Sequence, residues 1–222
     1  MKTAICRICE SSSLEEIEEF TSLRQVTSDC RPWPGSAHLV ACQICGTVQK
    51  LHDQRWVSDC KNIYSAYELY PQSSGVEQAV FDADSGMAET RSKQLLGKVV
   101  ECTSVPESGR LLDIGCGNGS FLRVFSSYAP QWRLWGSELH DRYRQEIEKI
   151  PGVEGFHHGP IEDLPGYFDW IVLLHVLEHV PQPVQYLKQL RSTLRPNGKL
   201  VIEVPHHLQN PFELTIADHA CH

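Results

Sequence analysis

"LLDIGCGNGSFL", residues 111–122, places Asp113 at the end of an apolar run and glycines at 115, 117 and 119 directly after it. A glycine turn between a strand and a helix lets backbone N–H groups approach a ligand closely. The spacing helps to choose the ligand. A dinucleotide fingerprint reads G-x-G-x-x-G and seats a pyrophosphate on the helix N-terminus. Here the third glycine arrives one residue early, position 120 is Ser, and no basic residue lies in the turn. Asp113 is instead an anion suited to a cationic or amine-bearing ligand. Glu138, 25 residues after Asp113 at the end of "LWGSEL", is placed to accept hydrogen bonds from two ribose hydroxyls. A carboxylate there repels a 2′-phosphate, which argues against NADP, although Glu138 alone does not exclude NAD.

Around this turn, short apolar runs alternate with helical patterns. "RLLDI", "WRLWGS", "VEGF", "WIVLLH" and "GKLVIEV" read as strands, and "SFLRVFSSYA", "DRYRQEIEKI" and residues 183–193 read as helices. Strands alternating with helices form βαβ units and a parallel sheet. The fold class is therefore α/β, a doubly wound Rossmann-like sheet with ligands at the carboxyl ends of its strands.

Five segments together, "LLDIGCGNGSFL", "GSEL", "GPIEDLP", "FDWIVLLHVLEHVPQP" and "LRPNGKLVIEVP", resemble a class I S-adenosylmethionine-dependent methyltransferase over roughly residues 110–205. The resemblance implies that Gly115, Gly117, Asn118 and Gly119 bring backbone against the amino-acid part of S-adenosylmethionine. It puts Asp113 near the cofactor's amino group, Glu138 on its ribose, and "GPIEDLP" beside adenine. Pro160 stands where the family often has Asp, so Glu162 or Asp163 would partner the adenine amine and Ile161 would supply a backbone N–H.

Eight of the eleven histidines follow residue 156, most of them just after an expected strand. His175, His206, His207 and His219 are candidates for a proton acceptor, since an imidazole titrates near neutrality. "HVLEH" (175–179) also spells a zinc-peptidase pattern, rejected because it follows a buried strand directly instead of lying within a long helix. His179 reads as structural, and His175 as a strand-tip residue beside the methyl group. "NPFELTIADHACH" places an acidic-His pair, Asp218 and His219, after the fifth strand. With the cysteine pairs upstream, this resembles the sugar C-methyltransferases, whose Glu-His supplies proton-transfer groups at a keto-sugar. Ile216 departs from the Tyr usual in that segment.

The first sixty residues carry "CRIC" (Cys6, Cys9) and "CQIC" (Cys42, Cys45). Two such turns close a tetrahedral S4 site of the structural-zinc type, and a segment this poor in large aliphatic residues gains from a metal staple. Cys30 and Cys60 are possible substitutes for one ligand. The module holds six Lys/Arg against eight Asp/Glu, a poor phosphate surface, so it reads as a structural element or a lid over substrate. The expected organisation is a zinc-ribbon-like module at 1–60, a helical bridge at 61–109 and the cofactor domain at 110–222. Tyr64, Tyr67 and Tyr70 line one helical face of the bridge, and 75–104 reads as one or two helices broken near Ser85-Gly86.

The 222 residues carry a net charge of −8, which argues against coating nucleic acid or anionic membrane. No run approaches the ~20 apolar residues of a membrane span, and no signal peptide is evident; nine cysteines, four of them in CxxC pairs, fit a reducing cytoplasm. The expected function is methyl transfer from S-adenosylmethionine to a small molecule, with an NDP-keto-sugar of sugar biosynthesis as candidate acceptor. An RNA methyltransferase with a zinc-ribbon reader and a non-catalytic binding module on the same scaffold are the alternatives. The family usually adds two strands after the fifth, for which the residues up to His222 leave no room, so truncation of the domain is expected.

Overall fold

The computed structural model describes residues 4–66, 77, 79–81, 86, 88–205 and 216–219. In chain order the first elements are β1 (Leu14–Ile17), β2 (Arg24–Val26), β3 (Pro32–Trp33), β4 (Leu39–Cys42), β5 (Val48–Lys50) and α1 (Gln54–Ser65). Then come β6 (Ala79–Phe81), β7 (Ala88–Thr90), α2 (Arg91–Cys102), β8 (Arg110–Ile114), α3 (Ser120–Tyr128), β9 (Arg133–Ser137) and α4 (Arg144–Ile147). The last are β10 (Val153–His157), β11 (Phe168–Leu174), α5 (Pro183–Thr193), β12 (Leu194–Glu203) and β13 (Ile216–Asp218). The chain divides into two compact units, one of residues 1–68, 178–186 and 205–222, the other of 69–177 and 187–204.

The second unit is built on a five-stranded sheet in the order β10-β9-β8-β11-β12, all of it parallel. The order reverses at the β8–β11 neighbours, which makes the carboxyl end of β8 the topological switch point and the expected ligand position. A parallel strand covered on both faces needs apolar residues at every position, not at alternate ones. β8 and β11 obey this: Leu111, Leu112, Ile171, Val172 and Leu173 are fully buried. Beside the sheet, Phe125, Trp132 and Trp170 form an aromatic cluster, with ring centroids 5.3 Å apart for Phe125–Trp132 and 5.4 Å for Trp132–Trp170. The Trp132 indole N–H donates to the Pro106 carbonyl (2.8 Å), so its one polar atom is satisfied inside the core.

The bridge departs from expectation. Residues 79–81 and 88–90 pair as antiparallel strands, with Ala79 opposite Thr90 and Phe81 opposite Ala88, where a helix was anticipated. The physical reason lies in "AVFDADSGMAET": Val80 and Phe81 suit a strand, and Gly86, between the two strands in sequence, has φ +67°, which breaks a helix. The helix read from residue 91 onward is α2. α4 covers only four residues, much shorter than "DRYRQEIEKI" suggests.

In the first unit, β1, β4 and β5 form one antiparallel sheet, and β13, β2 and β3 form another, with β13 parallel to β2. Asp53 caps α1 by accepting from the Trp56 N–H (2.7 Å). α1 then buries Trp56, Cys60 and Ile63 on one face, 3 to 4 residues apart.

Candidate cofactor site and cysteine centre

The cofactor candidates in the second unit converge at the end of β8. Gly115, Gly117 and Gly119 all have positive φ, at +68°, +54° and +81°, a conformation that costs an L-residue with a side chain about 1–2 kcal/mol. A Cβ on Gly115 would lie 2.4 Å from Val176 Cγ2, and one on Gly119 2.8 Å from Ile150 Cδ1. Both positions therefore require glycine twice over, for backbone twist and for space. The turn is anchored to the neighbouring strand, since the Gly115 and Cys116 N–H groups both donate to the Ser137 carbonyl (2.8 and 3.1 Å). Asn118 Oδ1 accepts from the Ser120 N–H (3.1 Å) and hydroxyl (2.7 Å), fixing the entry into α3.

Two carboxylates frame this turn. Glu138 accepts from the Gly117 N–H (2.9 Å) and the Leu139 N–H (2.7 Å), an arrangement that holds it against the glycines from β9. Asp113 is 2% exposed, and its Oδ1 has no hydrogen-bond partner among the described residues. Burial first, and the charge of Glu138 second, push the Asp113 carboxyl well above the usual carboxylate range. A buried, partnerless carboxylate oxygen next to a second negative charge is costly unless a cationic donor meets it. The donor set therefore fits a ligand carrying an ammonium group and a diol, as S-adenosylmethionine does. The turn at Ile161–Asp163 is a single 3-10 turn with Glu162 and Asp163 exposed, and Glu162 Oε1 accepts from Gln189 Nε2 (2.5 Å).

His175 follows β11 directly and has φ +54°, a strained position for a non-glycine residue. Its N–H donates to the Glu203 carbonyl (2.9 Å), and its Nε2 lies 3.4 Å from Glu203 Oε1. Arg91, the first residue of α2, contacts His175 Nε2 and lies 3.2 Å from Glu203 Oε1. Sequence reading missed Arg91 and Glu203, because nothing in local spacing brings a helix start at 91 to a strand end at 203. His206 and His207 lie outside the described residues, as do Tyr67 and Tyr70. Leu177–His179 is one 3-10 turn, consistent with the rejection of a metallopeptidase helix.

The first unit gathers Asp218 and His219 with residues no motif signalled. His219 is fully buried, its Nε2 is 3.1 Å from Asp59 Oδ2, and its carbonyl accepts from the Trp56 indole N–H (2.7 Å). Asp218 Oδ1 accepts from the Ser28 hydroxyl (3.2 Å), and the buried Lys50 donates to its carbonyl. The Tyr64 hydroxyl is 2.7 Å from His179 Nδ1, giving the described member of the tyrosine stripe a polar partner.

The four CxxC cysteines of the same unit form one cluster. Their sulfurs all lie within 4.8 Å of one another, with Cys6–Cys45 at 3.6 Å and Cys9–Cys42 at 3.5 Å. A Zn–S bond of about 2.3 Å puts sulfurs of a tetrahedral site about 3.8 Å apart, so the spacing fits. The two knuckles repeat one backbone pattern. Cys6 O accepts from Glu10 N (3.0 Å) and Cys42 O from Gly46 N (2.9 Å), while Cys6 N donates to Ser11 O and Cys42 N to Thr47 O (both 2.8 Å). Glu10 and Gly46 occupy matching left-handed positions, φ +62° and +74°. The Thr47 hydroxyl, 3.1 Å from Cys45 Sγ, pulls that thiol down to about 6, toward the thiolate a metal needs. Cys30 and Cys60 do not belong to the cluster.

A family model described as a methyltransferase domain matches residues 87–217. The ubiquinone biosynthesis O-methyltransferase of Schizosaccharomyces pombe is 32% identical over 119 residues, 50% of this chain and 43% of that one. The tRNA U34 carboxymethyltransferase of Idiomarina loihiensis is 35% identical over 108 residues, 43% of this chain and 33% of that one. The chain thus spans less than half the length of these curated relatives. Among solved structures, coclaurine N-methyltransferase bound to N-methylheliamine and SAH aligns with a TM-score of 0.52 at 15% identity, covering 68% of this chain and 51% of that one, a likeness of fold. Among the described residues no helix is long and apolar enough to cross a membrane.

Proposed function

Because the chain belongs to the methyltransferase-domain family, we propose that it transfers a methyl group from S-adenosylmethionine to a small molecule, with a nucleotide-linked keto-sugar as the acceptor of choice. One observation carries the reading: a buried Asp113 oxygen without a partner and the Glu138 carboxylate frame a glycine turn that has no basic residue to receive a pyrophosphate. When bound, S-adenosylmethionine supplies an electrophilic sulfonium methyl, so the protein's task is to align a nucleophile and accept a proton.

In this reading Asp113 holds the ligand's ammonium and Glu138 its ribose. The backbone of Gly115, Gly117, Asn118 and Gly119 closes around the amino-acid portion, and the turn containing Ile161 and Glu162 flanks the adenine. His175, set by Arg91 and Glu203, and His219 with Asp218 are the proton-transfer candidates within the described residues. The Asp218-His219 pair supports the keto-sugar over other small molecules through its resemblance to the Glu-His of sugar C-methyltransferases. Zinc on Cys6, Cys9, Cys42 and Cys45 would staple the first unit and take no part in methyl transfer, since all four positions are sulfur and none is left open.

A second reading, an RNA methyltransferase, draws support from the tRNA-modifying relatives, while the acidic balance of residues 1–60 opposes it. Methyl transfer from radiolabelled S-adenosylmethionine to a panel of nucleotide keto-sugars and to bulk tRNA tests the choice. Label in a sugar fraction supports the proposal, and label in tRNA alone contradicts it.

A further inference from the structure

β10 ends at His157 and is followed at once by His158, two histidines that the cofactor reading leaves without a task. Each ring faces a different loop of the second unit. His157 Nε2 lies 2.9 Å from the Pro160 carbonyl, directly ahead of the turn at Ile161–Asp163. His158 Nε2 lies 2.8 Å from the Leu139 carbonyl, just past the end of β9. A carbonyl only accepts, so each imidazole carries a proton on Nε2 and donates it. The doubly protonated ring keeps that proton, so both contacts hold in either charge state. Leu139 is the consequential partner, because its own N–H donates to Glu138 Oε1 (2.7 Å) while the Gly117 N–H donates to Oε2 (2.9 Å). One N–H on each oxygen fixes the carboxylate plane, and each oxygen keeps acceptor capacity for a ligand hydroxyl.

We propose that His158 is a positioning residue for the ribose of S-adenosylmethionine: by holding the Leu139 carbonyl it keeps the Leu139 N–H on Glu138 Oε1, and so keeps the carboxylate aimed at the ribose hydroxyls. The proposal rests on the reading of Glu138 as the ribose acceptor. The two donors to Glu138 differ in how they are fixed. Gly117 belongs to the glycine turn, which the Gly115 and Cys116 N–H groups tie to the Ser137 carbonyl. Leu139 lies beyond the hydrogen bond from the Glu138 N–H to the His157 carbonyl (3.2 Å) that closes β9 against β10. Its side chain is 68% exposed and offers little packing to hold the backbone in place. The imidazole of His158 supplies that hold. His158 is itself exposed, so its removal leaves no cavity in the core and the effect falls on Glu138.

The test compares the affinity of the full chain for S-adenosylhomocysteine with that for its 2′-deoxy analogue, by isothermal titration calorimetry. Losing a hydroxyl that donates to a carboxylate should weaken binding to the wild type roughly 10- to 150-fold. His158→Ala should contract that ratio at least about threefold, the scale of one neutral hydrogen bond. His158→Gln, whose side-chain amide can donate to Leu139, should keep the ratio. His157→Ala, which releases the Pro160 side instead, should weaken both ligands alike and leave the ratio in place. A smaller contraction in His158→Ala, the same contraction in His158→Gln, or an equal one in His157→Ala would overturn the proposal. So would a His158→Ala chain that fails to fold, since His158 would then be structural. A wild type that does not distinguish the two ligands would refute the ribose role of Glu138 and the proposal with it. Full discrimination in both the wild type and His158→Ala would refute the role of His158 alone.

Discussion

Replacing Asp113 by Asn separates a ligand-binding role from a structural one, because the two effects have opposite signs. In the ligand-free chain the Asp113 carboxyl is raised by burial and by Glu138, and its Oδ1 has no partner among the described residues. A carboxyl whose folded pKa is raised contributes stability that is fully present below its unfolded pKa and is lost as pH rises through the folded value. Asp113 therefore weakens the fold increasingly as pH rises above the ordinary carboxylate range, and the isosteric, uncharged amide should raise the melting temperature at neutral pH. Toward a ligand ammonium the change is a loss. A charge-assisted hydrogen bond is worth about 1.5–3 kcal/mol, so affinity for S-adenosylmethionine should fall roughly 10- to 150-fold. Equilibrium dialysis gives the affinity and differential scanning calorimetry of the ligand-free chain gives the stability. A variant that is less stable and also binds less would show Asp113 to be structural. Unchanged affinity would remove it from the site.

Three further perturbations follow from the geometry. Gly115→Ala combines a φ of +68° with a Cβ 2.4 Å from Val176 Cγ2, and should cost about 2–5 kcal/mol in urea unfolding, part of it recovered by adding Val176→Ala. Cys9→Ser removes one of the four clustered thiols and should reduce bound zinc, measured by plasma emission, from one ion per chain to a small fraction, with loss of dispersion in NMR signals of residues 4–66. His52, stacked on Trp56 at 4.4 Å, has its pKa pushed down to about 4 by burial and by the nearby Arg7 and Lys50. Its unfolded form takes up a proton that the folded form resists, so its contribution to stability is complete above about pH 6.5 and declines as pH falls toward 4; His52→Phe should flatten the melting temperature across that window.

The glycine turn, its strands and the clustering of the four CxxC cysteines were readable because each is a local chemical statement. "WIVLL" is apolar at every position, and "RLLDI" at Leu111, Leu112 and Ile114, because both faces of a parallel strand are covered, and two CxxC turns carry their own geometry. What escaped was of two kinds. The pairing of 79–81 with 88–90 escaped because the Ala, Glu and Met nearby in sequence have helical propensity, while Val80, Phe81 and the left-handed Gly86 decide the outcome. Asp59, Lys50 and Arg91 escaped because their partners, Glu203 among them, lie from 84 to 168 residues away in the chain, at distances that only the fold closes. Glu10, in the left-handed position that Gly46 fills in the other knuckle, shows that a positive φ need not be announced by glycine.

The central claim is that the turn at 115–119, framed by Asp113 and Glu138, holds S-adenosylmethionine and not a dinucleotide. Isothermal titration calorimetry of the full chain against S-adenosylmethionine and, separately, NAD tests it most directly. Saturable binding of S-adenosylmethionine near one equivalent, with no heat from NAD, is the result this account predicts. Binding of NAD without S-adenosylmethionine would contradict it.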